Sequence, residues 1–267
     1  MADSIAYVVA SGKGGVGKTT AVSNIGFALA QRGKKVVLVD ADIGLRNLDV
    51  ALGLENRVVY DLVDVVEGVC RLKQALVKDK RAENLYLLPA AQTRDKNAVN
   101  PVQMQELVER LKEQFEFVLI DCPAGIEQGF KNSIAGADSA IIVTTPEIAA
   151  VRDADRVIGL LEAAAKSDPR LIVNRVRPNM VKRGDMMHTA DIVEILCVEL
   201  LGVVPEDDQI IVSTNKGEPL TMRQSALAGT AFKNIAARLA GEQVAFMSLD
   251  ADEGFVSRLF KALGLRG

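Results

Sequence analysis

The run Ser11-Gly-Lys-Gly-Gly-Val-Gly-Lys-Thr-Thr20 brings glycines, lysines and hydroxyl side chains together at a fixed spacing. Gly12, Gly17, Lys18 and Thr19 match the pattern G-x-x-x-x-G-K-[ST], directly after an apolar strand-like run and directly before helical periodicity. Glycines at Gly12, Gly14, Gly15 and Gly17 let the backbone take positive φ and come close. Successive N–H groups along the loop, that of Val16 included, then point at a phosphate. The following helix adds the partial positive charge of its N-terminus. Lys18 is placed to reach the β- and γ-phosphates and the Thr19 hydroxyl to coordinate Mg2+, with Thr20 completing the nucleotide-binding run. The chemistry expected of Gly12–Thr20 is to hold ATP as its Mg2+ complex.

Lys13 is surplus to that task, since a second lysine is not needed to hold a nucleotide within one chain. Its expected role is to approach the phosphates of a facing subunit and supply transition-state charge, as an arginine finger does. Two apolar runs then end in acids: Val36-Val-Leu-Val-Asp40, followed by Ala41-Asp42, and Phe117-Val-Leu-Ile-Asp121, followed by Cys122-Pro-Ala-Gly125. An apolar strand ending in Asp is the Walker-B arrangement, in which the carboxylate holds Mg2+ directly or through water. Asp121 is the expected metal carboxylate, Asp40 its neighbour at the metal, and Asp42 the residue that orients the attacking water. Gly125 stands where a loop sensing the γ-phosphate needs backbone freedom.

These side chains converge only if strands deliver them to one edge of a sheet. The sequence supplies strand-like runs at Ile5–Ala10, Lys35–Asp40, Leu85–Leu88, Phe117–Asp121, Ala140–Thr144, Leu171–Asn174 and Leu201–Val204. Most are continuous β-branched or Leu runs, as expected of strands covered on both faces. Helical periodicity fills Thr19–Gln31, Val102–Gln114, Ala149–Ala165, Thr189–Leu196 and Gln224–Ala240. Strand–helix–strand repetition predicts an α/β fold: a doubly wound, mainly parallel sheet with helices on both faces. In such sheets ligands bind at the carboxyl ends of the strands, where the glycine loop and all three aspartates would lie.

The bulk numbers agree with one such domain. The chain has 267 residues, about half of them hydrophobic, enough to bury a large core without a disulfide or structural metal. With 32 basic against 35 acidic residues, an overall electrostatic grip on nucleic acid is not expected. Cys70, Cys122 and Cys197 are odd in number and far apart, and read as buried thiols of a reducing compartment. Nothing in the first residues reads as a leader or a spanning run, so a cytoplasmic protein is expected. His188 is the sole histidine and reads as a surface or turn residue, which leaves no Ser/His/Asp arrangement and no His-rich metal site.

With these residues assembled, the chain resembles the deviant Walker-A P-loop ATPases of the ParA/MinD family, and among them its division-site branch. The segments that carry the likeness are SGKGGVGKTT, VDADIGLRNLDV, RVVYDLV, QALVKDKR, ENLYLLPA, QTRDK, DCPAGIE, RGDM, GVVPED and NKGEP. The resemblance implies a dimer-dependent ATPase forming a nucleotide-sandwich homodimer, with Lys13 against the opposite nucleotide and Asp42 acting in hydrolysis. It implies adenine contacts from Asn174 and the turn Pro205-Glu206-Asp207; an Asn amide can pair with the donor–acceptor edge of adenine. It further implies a MinC-like inhibitor and a MinE-like activator as partners, the activator meeting Val151-Arg-Asp-Ala-Asp155.

The C-terminus carries a separate device. Ser248–Gly254 is an acidic leash with little to pack, and residues 255–267 are apolar and basic without an acid. Wound as a helix, Phe255, Val256, Leu259, Phe260 and Leu263 fall within an arc of roughly 140°, with Ser257, Arg258 and Lys261 opposite. Apolar bulk opposite cations suits an amphipathic helix lying on an anionic membrane surface. The expected organisation is an ATPase domain over 1–247, a leash over 248–254 and a membrane-targeting tail over 255–267, peripherally bound when ATP joins two copies. Two rivals share the engine. A DNA-partitioning ATPase would need a basic dimer surface and leaves the tail unexplained. A redox protein with a shared iron–sulfur cluster would need two suitably placed cysteines per subunit, and Cys122 is not at the expected offset.

Overall fold

The computed structural model describes residues 4–95, 97–166, 168–223 and 225–247. The leash and the amphipathic tail expected over 248–267 lie outside the described residues. Eight strands, β1 Ile5–Ala10, β2 Val36–Asp40, β3 Val77–Lys78, β4 Leu85–Leu88, β5 Phe117–Asp121, β6 Ser139–Thr144, β7 Arg170–Val176 and β8 Glu199–Pro205, form one sheet. Their order is β3-β4-β2-β5-β1-β6-β7-β8. Every neighbouring pair is parallel except β3 with β4, which is antiparallel.

The continuous apolar runs follow from burial on both faces. Val8, Val37, Val118 and Ile120 enter one core, while Val9, Leu38, Leu119 and Ile141 enter the other. The first core is closed by the helices Pro101–Lys112, Gln128–Ala135, Ile148–Ala163 and Thr189–Leu196, through residues such as Leu107, Phe130, Val157 and Ile192. The second is closed by Lys18–Gln31 and Leu227–Leu239, through Val22, Ile25, Phe232 and Ile235. The helix leaving β1 therefore covers one face and the helix leaving β5 the other. Their divergence opens a crevice at the carboxyl ends of these adjacent strands, where an open α/β sheet binds its ligand.

Several boundaries differ from the sequence expectation, each for a local reason. The helix predicted from Val102 begins at Pro101, because Asn100 caps it in a reciprocal pair with Gln103 and proline suits the first position. Strand β3 is two residues long, too short for an alternation to register. Leu48–Ala51, Leu62–Val66, Leu72–Ala75, Pro178–Arg183 and Gln209–Asn215 are helices of seven residues or fewer, below the length at which periodicity declares itself. The cysteines depart from expectation too. Cys122 is buried, but Cys70 is half-buried and Cys197 exposed. Cys197 ends its helix in the left-handed region at φ 51°, which turns it away from the core. Burial pushes the Cys122 thiol up to about 12, so it is held as an inert thiol. His188 is exposed, at the N-cap of Thr189–Leu196.

Candidate functional site

The sheet register assembles the carboxylates. Asp40 and Asp121 are direct neighbours on β2 and β5, and Asp121 is also paired with Val9 of β1, one residue before that strand ends at Ala10. The glycine loop thus leaves β1 beside both acids. It ends at Gly17, whose φ of 98° starts the helix Lys18–Gln31 without a side-chain cap and with no acid in the first turn. Uncapped N–H groups at a helix start, approached through a left-handed glycine, make a ready anion site.

Lys18 is 8% exposed and its Nζ donates to Ser11 Oγ at 2.9 Å. The Thr19 hydroxyl donates to Asp121 Oδ2 at 2.6 Å, while Asp121 Oδ1 is buried with no partner. A buried carboxylate oxygen without a partner is uncommon in a folded protein and costs about 1–3 kcal/mol. Beside it, Asp40 accepts from the backbone N–H groups of Asp42 at 3.0 Å and Leu48 at 3.1 Å. Burial, then the neighbouring Asp121 carboxylate, raises the Asp40 pKa. Burial likewise raises that of Asp121, against the Thr19 hydrogen bond and the charge of Lys18. A hydroxyl, an unpartnered carboxylate oxygen and two acids that burial disfavours in charged form fit a divalent cation, which relieves all three. Asp42 is half-buried at the mouth of this group. Asp40 thus stands beside Asp121 and caps the loop that carries Asp42.

Asn174 at the carboxyl end of β7 is 2% exposed, and its Nδ2 donates to the carbonyl of Val16 in the loop at 2.8 Å. Its Oδ1 has no partner. One amide hydrogen thus holds the phosphate loop, and the amide has a second hydrogen and the Oδ1 acceptor besides. Asn174 lines a cavity of about 170 Å3 with Gly15, Gly17, Thr20, Glu206 and Asp207. Pro205 is buried as the last residue of β8, paired in register with Val176, and does not line that cavity. Glu206 is held by Arg175 and Arg177, and Asp207 accepts from the backbone of Gln209 at 2.9 Å and Ala228 at 3.3 Å. A larger cleft of about 620 Å3 adjoins, sharing Arg175 and Glu206 and lined by Glu147, Ile148 and Met186. It holds no residue of the glycine loop, so its size does not make it the phosphate site.

Lys13 points out of the loop, its side chain 51% exposed, and pairs at 3.7 Å with Glu147 at the N-cap of Ile148–Ala163. Two features here escaped the sequence reading. One is Glu147 as the resting partner of Lys13; the other is how tightly that helix lies on the loop. A Cβ on Gly12 would stand 2.5 Å from the carbonyl carbon and 2.6 Å from the Cβ of Asp153. Backbone on one side leaves no room to give, so Gly12→Ala is expected to destabilise the fold by about 1–3 kcal/mol and to displace the loop. Thermal melting and ADP titration check this: both should fall together, and an unchanged melting point with unchanged ADP affinity would show that the helix does not abut the loop.

Residues 7–220 match the family model described as the CobQ/CobB/MinD/ParA nucleotide binding domain. The chain is 56% identical over 264 residues to the septum site-determining protein MinD of Bacillus subtilis, covering 98% of each. Among solved structures it is similar to MinD in the MinC:MinD cell division complex of Aquifex aeolicus, with TM-score 0.86 and 48% identity over 92% of this chain and 99% of that one. It is also similar to Pyrococcus horikoshii MinD complexed with Mg-ADP, with TM-score 0.80 and 31% identity over 88% of this chain and 96% of that one.

Proposed function

The chain belongs to the MinD family of septum-site determining P-loop ATPases, and from that premise we propose that it places the division septum as an ATP-switched dimer that carries an inhibitor to the membrane. It is an ATPase whose cofactor is Mg2+. The single observation that carries the site is the Asp121 carboxylate, with one oxygen on the Thr19 hydroxyl and the other buried without a partner. Thr19 and Asp121, with Asp40 behind them, would hold the metal. Held there, Mg2+ would supply positive charge against that developing on phosphoryl transfer. Lys18 and the loop N–H groups bind the phosphates, and the Asn174 amide with the backbone near Glu206 and Asp207 receives the base. Asp42, at the mouth of the site, orients the water.

The crest around the loop supports pairing with a second copy. Leu45, Ile126 and Ile148, from the segments following β2, β5 and β6, are 62%, 44% and 70% exposed, large apolar side chains beside an exposed cation. Two copies meeting there would bring each Lys13 to the other's phosphates. The Aquifex relative is known in complex with MinC. A MinC-like partner is proposed for the dimer of this chain, with release by a MinE-like activator at the exposed side of Val151–Asp155. No helix among the described residues is long and apolar enough to cross a membrane. Attachment is assigned to the tail over 255–267, beyond the leash over 248–254 and the ATPase domain over 1–247, on the cytoplasmic face.

Size-exclusion chromatography of the hydrolysis-blocked Asp42→Ala variant tests the switch. With ATP it should elute as a dimer and with ADP as a monomer; the same elution volume in both nucleotides would reject the proposal.

A further inference from the structure

Ser11 sits between the last residue of β1 and the first glycine of the loop, and is 1% exposed. A serine hydroxyl has one proton to give and two lone pairs to receive, and here both functions are taken up by the two lysines. Ser11 Oγ donates to the backbone carbonyl of Lys13 at 2.8 Å and accepts from Lys18 Nζ at 2.9 Å. Its own carbonyl accepts from the N–H of Gly125 at 3.3 Å, in the loop that follows Asp121. One small residue therefore joins the side chain of one lysine, the backbone of the other and the loop beyond the metal carboxylate.

We propose that Ser11 is a positioning residue that sets Lys13 relative to Lys18, so that the cross-subunit lysine is presented at a fixed height above its own phosphate site. The inference rests on the roles given to the two lysines above. The geometry assigns the work to the hydroxyl rather than to packing, since alanine would occupy no more space than serine does. Losing the hydroxyl removes the donor that pins the Lys13 carbonyl. Among the described residues the Lys13 side chain pairs with the exposed Glu147, outside the loop. Lys18 also loses a partner for a nearly buried ammonium, but the phosphates it serves supply acceptors of their own. The effect should therefore fall on what Lys13 does between subunits and spare what the loop does within one.

Full-length Ser11→Ala, Ser11→Thr, Lys13→Ala and the Ser11→Ala/Lys13→Ala pair are compared by ADP affinity, melting temperature, ATP-dependent dimerisation and turnover. Ser11→Ala should keep ADP affinity within about threefold and its melting point near the parent, while weakening dimerisation and turnover each about tenfold, the scale of one hydrogen bond beside a charge. Ser11→Thr, which keeps a hydroxyl, should recover most of both. The double variant should be no worse than Lys13→Ala, as for residues acting in one chain of contacts. Parental dimerisation in Ser11→Ala overturns the inference. So does equal impairment of Ser11→Ala and Ser11→Thr, or a collapsed melting point with lost ADP binding, either of which makes Ser11 an ordinary core position. Lys13→Ala separates the two levels of the argument. If it dimerises and turns over like the parent, the cross-subunit reading falls and takes this inference with it; if it fails while Ser11→Ala behaves as the parent, only this inference falls.

Discussion

Lys13→Ala lowers dimer-dependent hydrolysis about 10³-fold or more while leaving ADP and ATP binding by the monomer within about threefold of the parent. The split follows from where the side chain goes. Lys18 lies at the end of the loop, nearly buried, with its Nζ turned in to Ser11 Oγ. Lys13 leaves it, half-exposed, for a 3.7 Å pair with an equally exposed Glu147. Such a pair is worth at most about 1 kcal/mol in water, so little holds the ammonium to its own chain and little is lost from the monomer without it. Across a subunit boundary the same charge would meet phosphates in a site from which water is excluded, where fixed charge is worth far more. Nucleotide titration of the dilute protein and turnover against protein concentration separate the two effects. Normal stimulated turnover would end the cross-subunit assignment; lost binding would return Lys13 to the intrachain site.

The parts of this site that were legible in the sequence are those fixed by a strand end. Asp40 and Asp121 each close a fully buried apolar run, and parallel pairing in register makes them neighbours. The glycine loop was legible for the same reason, being bounded by β1 and a helix whose start needs no side-chain cap. What stayed hidden depends on contacts between segments far apart in the chain. One amide hydrogen of Asn174 goes to Val16, 158 positions away, a contact that no local reading could supply. Gly12 and Gly14 lack the positive φ expected of the loop glycines, and Gly12 is required instead by the close approach of Asp153. Ser11 belongs to the motif's flank, where serine and alanine look alike until its partners are seen. The burial expected of the cysteines failed at Cys197 because a left-handed helix end, unmarked by glycine, turned it outward.

Removing residues 255–267 should abolish the ATP-dependent part of membrane binding and leave nucleotide binding and dimerisation intact. The end of the described domain is tied down by residues that precede the tail. Arg238 donates to the carbonyls of Leu201, Val244 and Ala245 and lies 4.1 Å from the centre of the Phe246 ring, which packs on the core. A chain ending at Met247 keeps all of these contacts. The tail's apolar arc is short and its cations are only Arg258, Lys261 and Arg266, so one copy should bind lipid weakly and reversibly. Joining two copies makes the second insertion intramolecular, and avidity of this kind is worth about 10²–10⁴ in apparent affinity without any new contact. On this proposal the nucleotide would control membrane residence through the number of tails carried. Pelleting with vesicles containing anionic lipid, in ATP and in ADP, reads this directly, using the Asp42→Ala variant to hold the ATP state. The full chain should pellet far more in ATP, the truncated chain equally little in both, and Phe260→Asp should behave as the truncation. Equal bound fractions of the full chain in ATP and ADP would separate membrane attachment from dimerisation, and the tail would then be an anchor with no switch.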